Sequence, residues 1–239
     1  MAIIDDLTNE TDRILNQQWS LRDGSVVPTT ETVLLAGGGV KLTPVMLYAD
    51  LADSTLLASK FNRQVASKVI KAFLSVACRI IRHNDGHIRS FDGDRVMGVF
   101  LGERMHTKAA LTALQINYTV IHILRPKIEA KYPALAEGGY RLKHAVGIDK
   151  SEVLVTRSGI RDNNDLIWVG RSPNIAAKLA AIRQGHITSF MTKSVYDLLA
   201  EDGKIAHDGA SMWDQGTWNN APLDDVKTIC QSSWWKKPK

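Results

Sequence analysis

The sequence predicts an α/β (α+β) fold of the ferredoxin-like kind, with helices on one face of a largely antiparallel sheet. Three observations lead to this prediction. A short apolar run at 45–49 (VMLYA) precedes a long stretch of helical periodicity over 55–83. Next, an Asp92-Gly93 pair separates two extended segments, as in a β-hairpin. Another helical stretch and further extended segments follow, so the expected element order is βαββαββ with αβ additions.

The elements can be justified in order along the chain. A helix is expected around 5–19, and the run at 45–49 fits a strand buried on both faces. Capping residues follow it, and the helix over 55–83 carries one broad apolar stripe. The Asp-Gly pair tolerates the positive φ of a type I′ turn. Later elements are a helix at 105–131, a strand pair at 140–149 and 152–158, a strand at 165–170, a helix opened by Pro173, and a last strand and helix within 186–203.

Length and composition limit the possible organisation. The chain of 239 residues and 26.4 kDa fits one ordinary domain with extensions. We expect an arm at 1–42, the main domain at 43–200 and a C-terminal extension at 201–239. The extension holds four of the six tryptophans, and we expect these indoles to pack onto protein rather than to stack on bases. The sequence begins with acidic residues instead of a basic and apolar signal, so we expect a cytoplasmic protein.

Charge and cysteine usage exclude several classes of protein. Only Cys78 and Cys230 are present, which argues against a disulfide scaffold and against a zinc site built from cysteines. No apolar stretch is long enough to span a bilayer, so no membrane partner is expected. Lys and Arg outnumber Asp and Glu by 30 to 25, giving a net charge of +5. This surplus suggests an anionic partner, from nucleic acid to a nucleotide.

Asp50 and Asp94 form the most informative pair. One ends the first strand and the other follows the hairpin turn, so both carboxylates are expected at the same end of neighbouring strands. Two such oxygen anions suit Mg²⁺ or Mn²⁺. Amide groups of residues 51–55 would form an anion cradle beside the metal. The alternative is that Asp50 is only a helix cap and Asp94 only a hairpin residue.

Three motifs then resemble a known family. They are LYADLADST at 47–55, DGDRVMGVF at 92–100 and VGRSPNIAAKL at 169–179. In this order and spacing they are similar to the catalytic domain of class III nucleotidyl cyclases, over about residues 43–200. A metal site beside a phosphate site is what a nucleotide enzyme requires.

The resemblance implies roles for particular residues. Asp50 and Asp94 would bind two Mn²⁺ or Mg²⁺ ions, with the carbonyl of Leu51 as a further ligand. Asn174 would contact the ribose, and Lys178 stands where the family has an arginine that stabilises the transition state. Lysine keeps the charge but lacks the planar guanidinium fork. Residues expected to cradle the phosphates are Ala52, Asp53, Ser54 and Thr55. The family also pairs two protomers head to tail, which implies a homodimer with composite sites.

The residues that read the base depart from the purine-specific pattern. Ser90 and Ile167 occupy the positions of the family's lysine and acidic or cysteine residue. Tyr48 and Arg95 instead face the expected base pocket, and a guanidinium donates well to the carbonyls of uracil. Arg95 as a plain hairpin residue and Tyr48 as a core residue remain alternatives.

With these residues at the base pocket, the chain resembles the stand-alone pyrimidine cyclases of bacterial Pycsar antiphage systems. The implied reaction is UTP to 3′,5′-cyclic UMP and diphosphate, with a separately encoded effector activated by the product. Alternatives are a cytidylate cyclase acting on CTP, an adenylate cyclase and a non-catalytic nucleotide-binding module. A nucleic-acid binder rests on the basic balance alone and is not expected. Lys204 and Lys227 are both candidates for a lysine that binds the terminal phosphates.

Overall fold

A computed structural model describes residues 3–160 and 162–239. They form two compact units, one from the described residues of Met1–Thr43 and Glu152–Gly170, the other from Pro44–Ser151 and Arg171–Lys239. Among the described residues no helix is both long and apolar enough to cross a membrane.

The strands and helices are as follows. The strands are β1 (Ser20–Asp23), β2 (Gly38–Leu42), β3 (Val45–Leu51), β4 (His87–Asp92), β5 (Arg95–Phe100), β6 (His144–Lys150), β7 (Val153–Ile160), β8 (Asn163–Gly170), β9 (Ser189–Thr192), β10 (Asp214–Thr217) and β11 (Thr228–Ser232). The helices are α1 (Ile3–Leu15), α2 (Ser54–Lys60), α3 (Arg63–His83), α4 (Met105–Thr119), α5 (Arg125–Lys131), α6 (Pro133–Glu137), α7 (Arg171–Ala180), α8 (Lys193–Asp197) and α9 (Glu201–Lys204).

The smaller unit is built on a four-stranded sheet in the order β1-β2-β7-β8. Its helix α1 ends at Leu15, before Trp19, so the predicted helix around 5–19 begins and ends early. The expected pairing of the segments at 140–149 and 152–158 is wrong. The first segment contains β6, which pairs with β3 on one side and β9 on the other. The second segment contains β7, which pairs with β2 and β8.

The larger unit contains a seven-stranded sheet in the order β10-β11-β9-β6-β3-β5-β4. Strand β3 runs antiparallel to both of its neighbours, β5 and β6, and β4 and β5 form the predicted hairpin. The α/β fold predicted from the sequence is therefore confirmed. The C-terminal segment adds β10 and β11 to the sheet, and the buried indole of Trp213 donates from Nε1 to the carbonyl oxygen of Gly203 (2.9 Å).

The predicted long helices are interrupted. The helical stretch at 55–83 is two helices, because Asn62 caps α3 by accepting from the amide of Gln64 at 2.9 Å. The stretch at 105–131 is α4 and α5, joined by a π-helical turn at Val120–Leu124. The apolar residues keep their helical spacing across both interruptions, so the sequence pattern alone does not indicate them.

Helices cover both faces of the larger sheet, which corrects the expectation of one covered face. Helices α3 and α4 contribute to the core that contains every second residue of β3, from Val45 to Leu51. Helix α7 lies against the opposite face, where a side chain on Gly147 would come within 2.1 Å of the carbonyl oxygen of Ala176. Gly147 pairs with Tyr48 on β3, so α7 shares the face that carries Tyr48 and Asp50.

Candidate active site

Asp50 lies near the end of β3 on the face opposite to α3 and α4. Only 8% of it is exposed, and two arginines contact its carboxylate. Arg183 donates from Nη2 to Oδ2 at 2.7 Å, and Arg95 places Nε 3.6 Å from Oδ1, too far for a hydrogen bond. Asp50 and Arg95 are register partners across β3 and β5, which fixes this second contact.

Asp94 is brought to Asp50 by the β4–β5 hairpin. The central residues of the turn are Gly93 and Asp94, since Asp92 pairs with Arg95. Gly93 has a φ of 61°, while Asp94 is absent from the described non-glycine residues with positive φ. A type I′ turn needs positive φ at both central positions, so the predicted type I′ is wrong and the geometry fits type II′.

The two carboxylates line one cleft of about 510 Å³, together with residues following β3. This confirms that they meet at one end of neighbouring strands. Other residues lining the cleft are Leu51, Asp53, Ser54, Thr55, Leu56, Arg95 and Arg183. Ala52 does not line it, and its amide donates to the carbonyl oxygen of Lys143 (2.9 Å). The Ala52 amide is therefore not free for the phosphate cradle in this structure, because its N–H is used just beyond the ends of β3 and β6.

The surroundings of Asp50 act on its charge in opposite directions. Burial raises the pKa of Asp50, and the charge of Asp94 raises it further, while the hydrogen bond from Arg183 and the charge of Arg95 act in the opposite direction. No group of three or more His, Cys, Asp or Glu side chains is placed to hold a metal in the part of the chain described. The cleft offers the carboxylates of Asp50 and Asp94, with Leu51 also in its lining. Carboxylate and carbonyl oxygens are the hard donors that Mg²⁺ and Mn²⁺ prefer, with water and phosphate completing the shell.

Tyr48 and Arg95 lie on the same face of the sheet as Asp50, because Arg95 is the register partner of Asp50 and Tyr48 is two residues before it on β3. Burial raises the pKa of the half-buried Tyr48, whereas the Arg95 charge and a hydrogen bond with Ser90 lower it. Ser90 and Tyr48 both pair with Met97, from opposite sides of β5. Ile167 is 45% exposed on β8 of the smaller unit.

Asn174 and Lys178 lie one turn apart on the exposed side of α7. Neither lines the cleft of Asp50 and Asp94 in the same chain. The start of α7 is fixed by Arg171, which donates from Nε and Nη2 to the buried carboxylate of Asp149 at 3.2 and 3.3 Å and from Nη1 to Asp225 at 2.5 Å. This anchoring gives the two exposed side chains a rigid base.

The two candidate phosphate lysines also lie outside the cleft of Asp50 and Asp94. Lys204 donates to the carbonyl oxygen of Asp197 at 3.3 Å, and its ammonium is 5.1 Å from the centre of the Tyr196 ring. Lys227 forms an ion pair with Asp224 at 2.6 Å.

Sequence reasoning missed Arg183. Its guanidinium is also held by the carbonyl oxygens of Ala180 (2.7 Å) and Ile182 (3.1 Å), just after α7. It is 133 positions from Asp50 in sequence, and nothing in its local pattern distinguishes it from the other arginines. Only the path of the chain after α7 reveals it.

Comparison with known proteins agrees with this geometry. No family model matches the chain. It is 42% identical over 239 residues to a uridylate cyclase of Rhodovulum sp. (strain MB263), covering 100% of this chain and 99% of the relative. It is 36% identical over 238 residues to a uridylate cyclase of Xanthomonas perforans, covering 99% of each. The crystal structure of a guanylyl cyclase superposes with a TM-score of 0.66 at 17% identity, over 84% of this chain and 96% of that one.

The fold is that of the class III nucleotidyl cyclase catalytic domain. The similarity to the two uridylate cyclases extends along the whole chain and identifies the family within this class. The chain belongs to the uridylate cyclase family.

Proposed function

We propose that this protein converts UTP to 3′,5′-cyclic UMP and diphosphate. The observation that carries the proposal is the meeting of Asp50 and Asp94 in one cleft, in a chain 42% identical along its length to a uridylate cyclase. We choose UTP over CTP or ATP because that relative is named a uridylate cyclase and because Arg95, which lines the cleft, can donate hydrogen bonds to the carbonyls of uracil.

The reaction is an in-line displacement. The ribose 3′-hydroxyl loses its proton to water and its oxygen forms a bond to the α-phosphorus. The bond from that phosphorus to the bridging oxygen of the β-phosphate breaks, and diphosphate leaves with that oxygen. Asp50, Asp94 and the Leu51 carbonyl would hold two Mg²⁺ or Mn²⁺ ions, which neutralise the triphosphate and lower the pKa of the 3′-hydroxyl. Asp53, Ser54 and Thr55 line the same cleft and would orient the phosphates.

Base selection is assigned to Tyr48 and Arg95. Arg95 is 31% exposed and shared between Asp50 at 3.6 Å and Asp92 at 3.7 Å, so both of its contacts are long. Such a guanidinium can turn toward a uracil carbonyl at small cost, because long and partly exposed ion pairs contribute little. Tyr48 would present its ring to the base.

Completion of the site requires a second copy of the chain. Asn174 and Lys178 are exposed on α7 and do not line the carboxylate cleft of their own chain. In the proposed homodimer, Asn174 of one protomer would position the ribose bound by its partner, and Lys178 would stabilise charge on the phosphates. Each protomer would then contribute to two sites.

The wider role follows from the resemblance to Pycsar cyclases. The cyclic nucleotide would act as a second messenger in antiphage defence and activate a separate effector protein in the cytoplasm. Assignment of catalysis to 43–200, with 1–42 and 201–239 as extensions, stays a prediction.

The test is incubation of the purified protein with each of the four nucleoside triphosphates and Mn²⁺, with products resolved by mass. UTP should give cyclic UMP, and Asp94→Asn should abolish it. Asp92→Asn is the matched control, because Asp92 lies two residues away, is 81% exposed and does not line the cleft. No cyclic product from any triphosphate would overturn the proposal, and a product from CTP or ATP alone would overturn the choice of base.

A further inference from the structure

A second cleft of about 730 Å³ lies in the larger unit beside that of Asp50. The segment from α4 to α5, the start of β6, the loop after α7 and the residues after β11 form its walls. Asp53 and Arg183 line both clefts, so the two are neighbours at these residues. The volume lies within the range of small-molecule sites, roughly 300–1,000 Å³.

The cleft carries a large excess of positive charge. Four cationic side chains line it, Arg125, Arg141, Lys143 and Arg183, against the single lining carboxylate of Asp53. Two of the four also have partners outside the lining, since Arg183 pairs with Asp50 at 2.7 Å and Arg141 with Glu129 at 3.3 Å. Burial and the neighbouring charge of Arg141 lower the pKa of Arg125, whereas the charge of Glu129 raises it. Lys143 forms no ion pair with any residue that the structure describes. Such a concentration of cations attracts a multiply charged anion.

Buried polar atoms in the same wall lack partners. His144 is 3% exposed, and neither of its ring nitrogens has a hydrogen-bond partner among the described residues. The same holds for the hydroxyl oxygen of Thr188. Both residues line the cleft. An unpartnered buried polar atom costs about 1–3 kcal/mol, so a ligand or bound water is needed to explain a group of them.

The chemistry of these groups suits phosphate. Burial, with the charges of Arg125 and Arg183, lowers the pKa of His144 to about 3, so its ring is neutral and offers one N–H donor at neutral pH. The Thr188 hydroxyl adds a second neutral donor. Guanidinium groups bind phosphate oxygens through paired hydrogen bonds, and lysine binds them as a point charge. The exposed cations Arg141 and Lys143, together with the buried donor groups of His144 and Thr188, therefore give the cleft the groups that bind a polyanion.

We propose that this second cleft binds the phosphate groups of a small polyphosphorylated molecule without a metal ion. The phosphates have two possible sources. They belong either to the substrate or the diphosphate product of the neighbouring site, an assignment that rests on the proposed function, or to a separate phosphorylated effector.

The direct test is calorimetric titration of the full-length protein with sodium diphosphate in EDTA. Without metal, Asp50 and Asp94 repel an anion, so binding reports on the second cleft. We expect Lys143→Gln to weaken binding by about fivefold and Lys143→Gln with Arg141→Gln by about twentyfold. Both side chains are exposed, so neither change should affect folding. Lys127→Gln, an exposed lysine of α5 outside the cleft, is the matched control and should bind as the wild type does. No binding to the wild type, or equal binding to Lys143→Gln, overturns the proposal.

Steady-state kinetics distinguish the two sources. If the cleft holds phosphates from the neighbouring site, Lys143→Gln raises KM for UTP and weakens competitive inhibition by diphosphate. If it holds a separate effector, KM for UTP stays at the wild-type value while binding of diphosphate in EDTA is still weakened. Failure of the cyclase assay would leave the EDTA titration unaffected, so the two proposals can fail independently.

Discussion

Arg183 donates a 2.7 Å hydrogen bond from Nη2 to Oδ2 of Asp50, the carboxylate assigned to metal binding. A cation of the same chain therefore already occupies one of the oxygen atoms that a metal ion would use. The carboxylate is 12% exposed and the guanidinium 39% exposed, so the pair is partly screened by solvent. Metal and guanidinium compete for one anion.

Arg183→Gln should accordingly strengthen metal binding. A charge-assisted hydrogen bond contributes about 1.5–3 kcal/mol, which solvent exposure reduces here to about 1 kcal/mol. We expect the affinity for Mn²⁺ in the absence of nucleotide to rise about fivefold, measured by electron paramagnetic resonance of the free ion. Arg79→Gln, an exposed arginine on α3, should leave it unchanged. Weaker Mn²⁺ binding by Arg183→Gln would show that the arginine supports the metal instead of competing with it.

The sequence predicted those parts of the site that local pattern determines. Asp50 lies near the end of a buried strand and Asp94 belongs to a tight hairpin, so both positions can be predicted from short segments. The face covered by α7 was not predictable, because an apolar stripe shows that a helix is buried but not against which side of a sheet. Arg183 was missed because its contact depends on the course of the chain over 133 residues.

Complementation tests the composite site. Asp94→Ala and Asn174→Ala should each be inactive, since each mutation affects both sites of a homodimer. After subunit exchange in an equimolar mixture, half of the dimers are mixed and each has one intact site, so about a quarter of wild-type activity should return. A mixture of Asp94→Ala with Asp50→Ala is the control and should stay inactive, because both changes affect the same half of the site. No recovery in the first mixture would contradict shared sites.

The buried ion pair beneath α7 should be important for stability. The carboxylate of Asp149 is 0% exposed, and Arg171 is its cationic partner. Arg171→Met leaves that carboxylate with the hydrogen bond from Thr192 (2.7 Å) and without a counterion. We expect a loss of about 3 kcal/mol in the free energy of unfolding at pH 7, measured by urea denaturation.

The same variant has a pH signature and a matched control. Burial already raises the pKa of Asp149, and loss of Arg171 raises it further, so the penalty should shrink as the pH falls and the carboxyl becomes protonated. Arg171→Met with Asp149→Leu removes both charges and should recover most of the lost stability. Equal losses in the single and double variants would show that packing of Arg171, not its charge, stabilises this region.

His144 should make folding sensitive to mild acid. Burial lowers its pKa from 6.5 to about 3, so below pH 6.5 the unfolded chain binds a proton that the folded protein does not. Stability from this residue is complete above pH 6.5 and declines by about 1.4 kcal/mol per pH unit below it, a loss of about 2 kcal/mol at pH 5. In His144→Leu the fall in unfolding free energy between pH 7 and pH 5 should be smaller than in the wild type by that amount, measured by urea denaturation at each pH. His207→Leu, at an exposed histidine, is the control and should keep the wild-type dependence. Equal slopes for His144→Leu and the wild type would mean that the folded protein accepts the proton at His144.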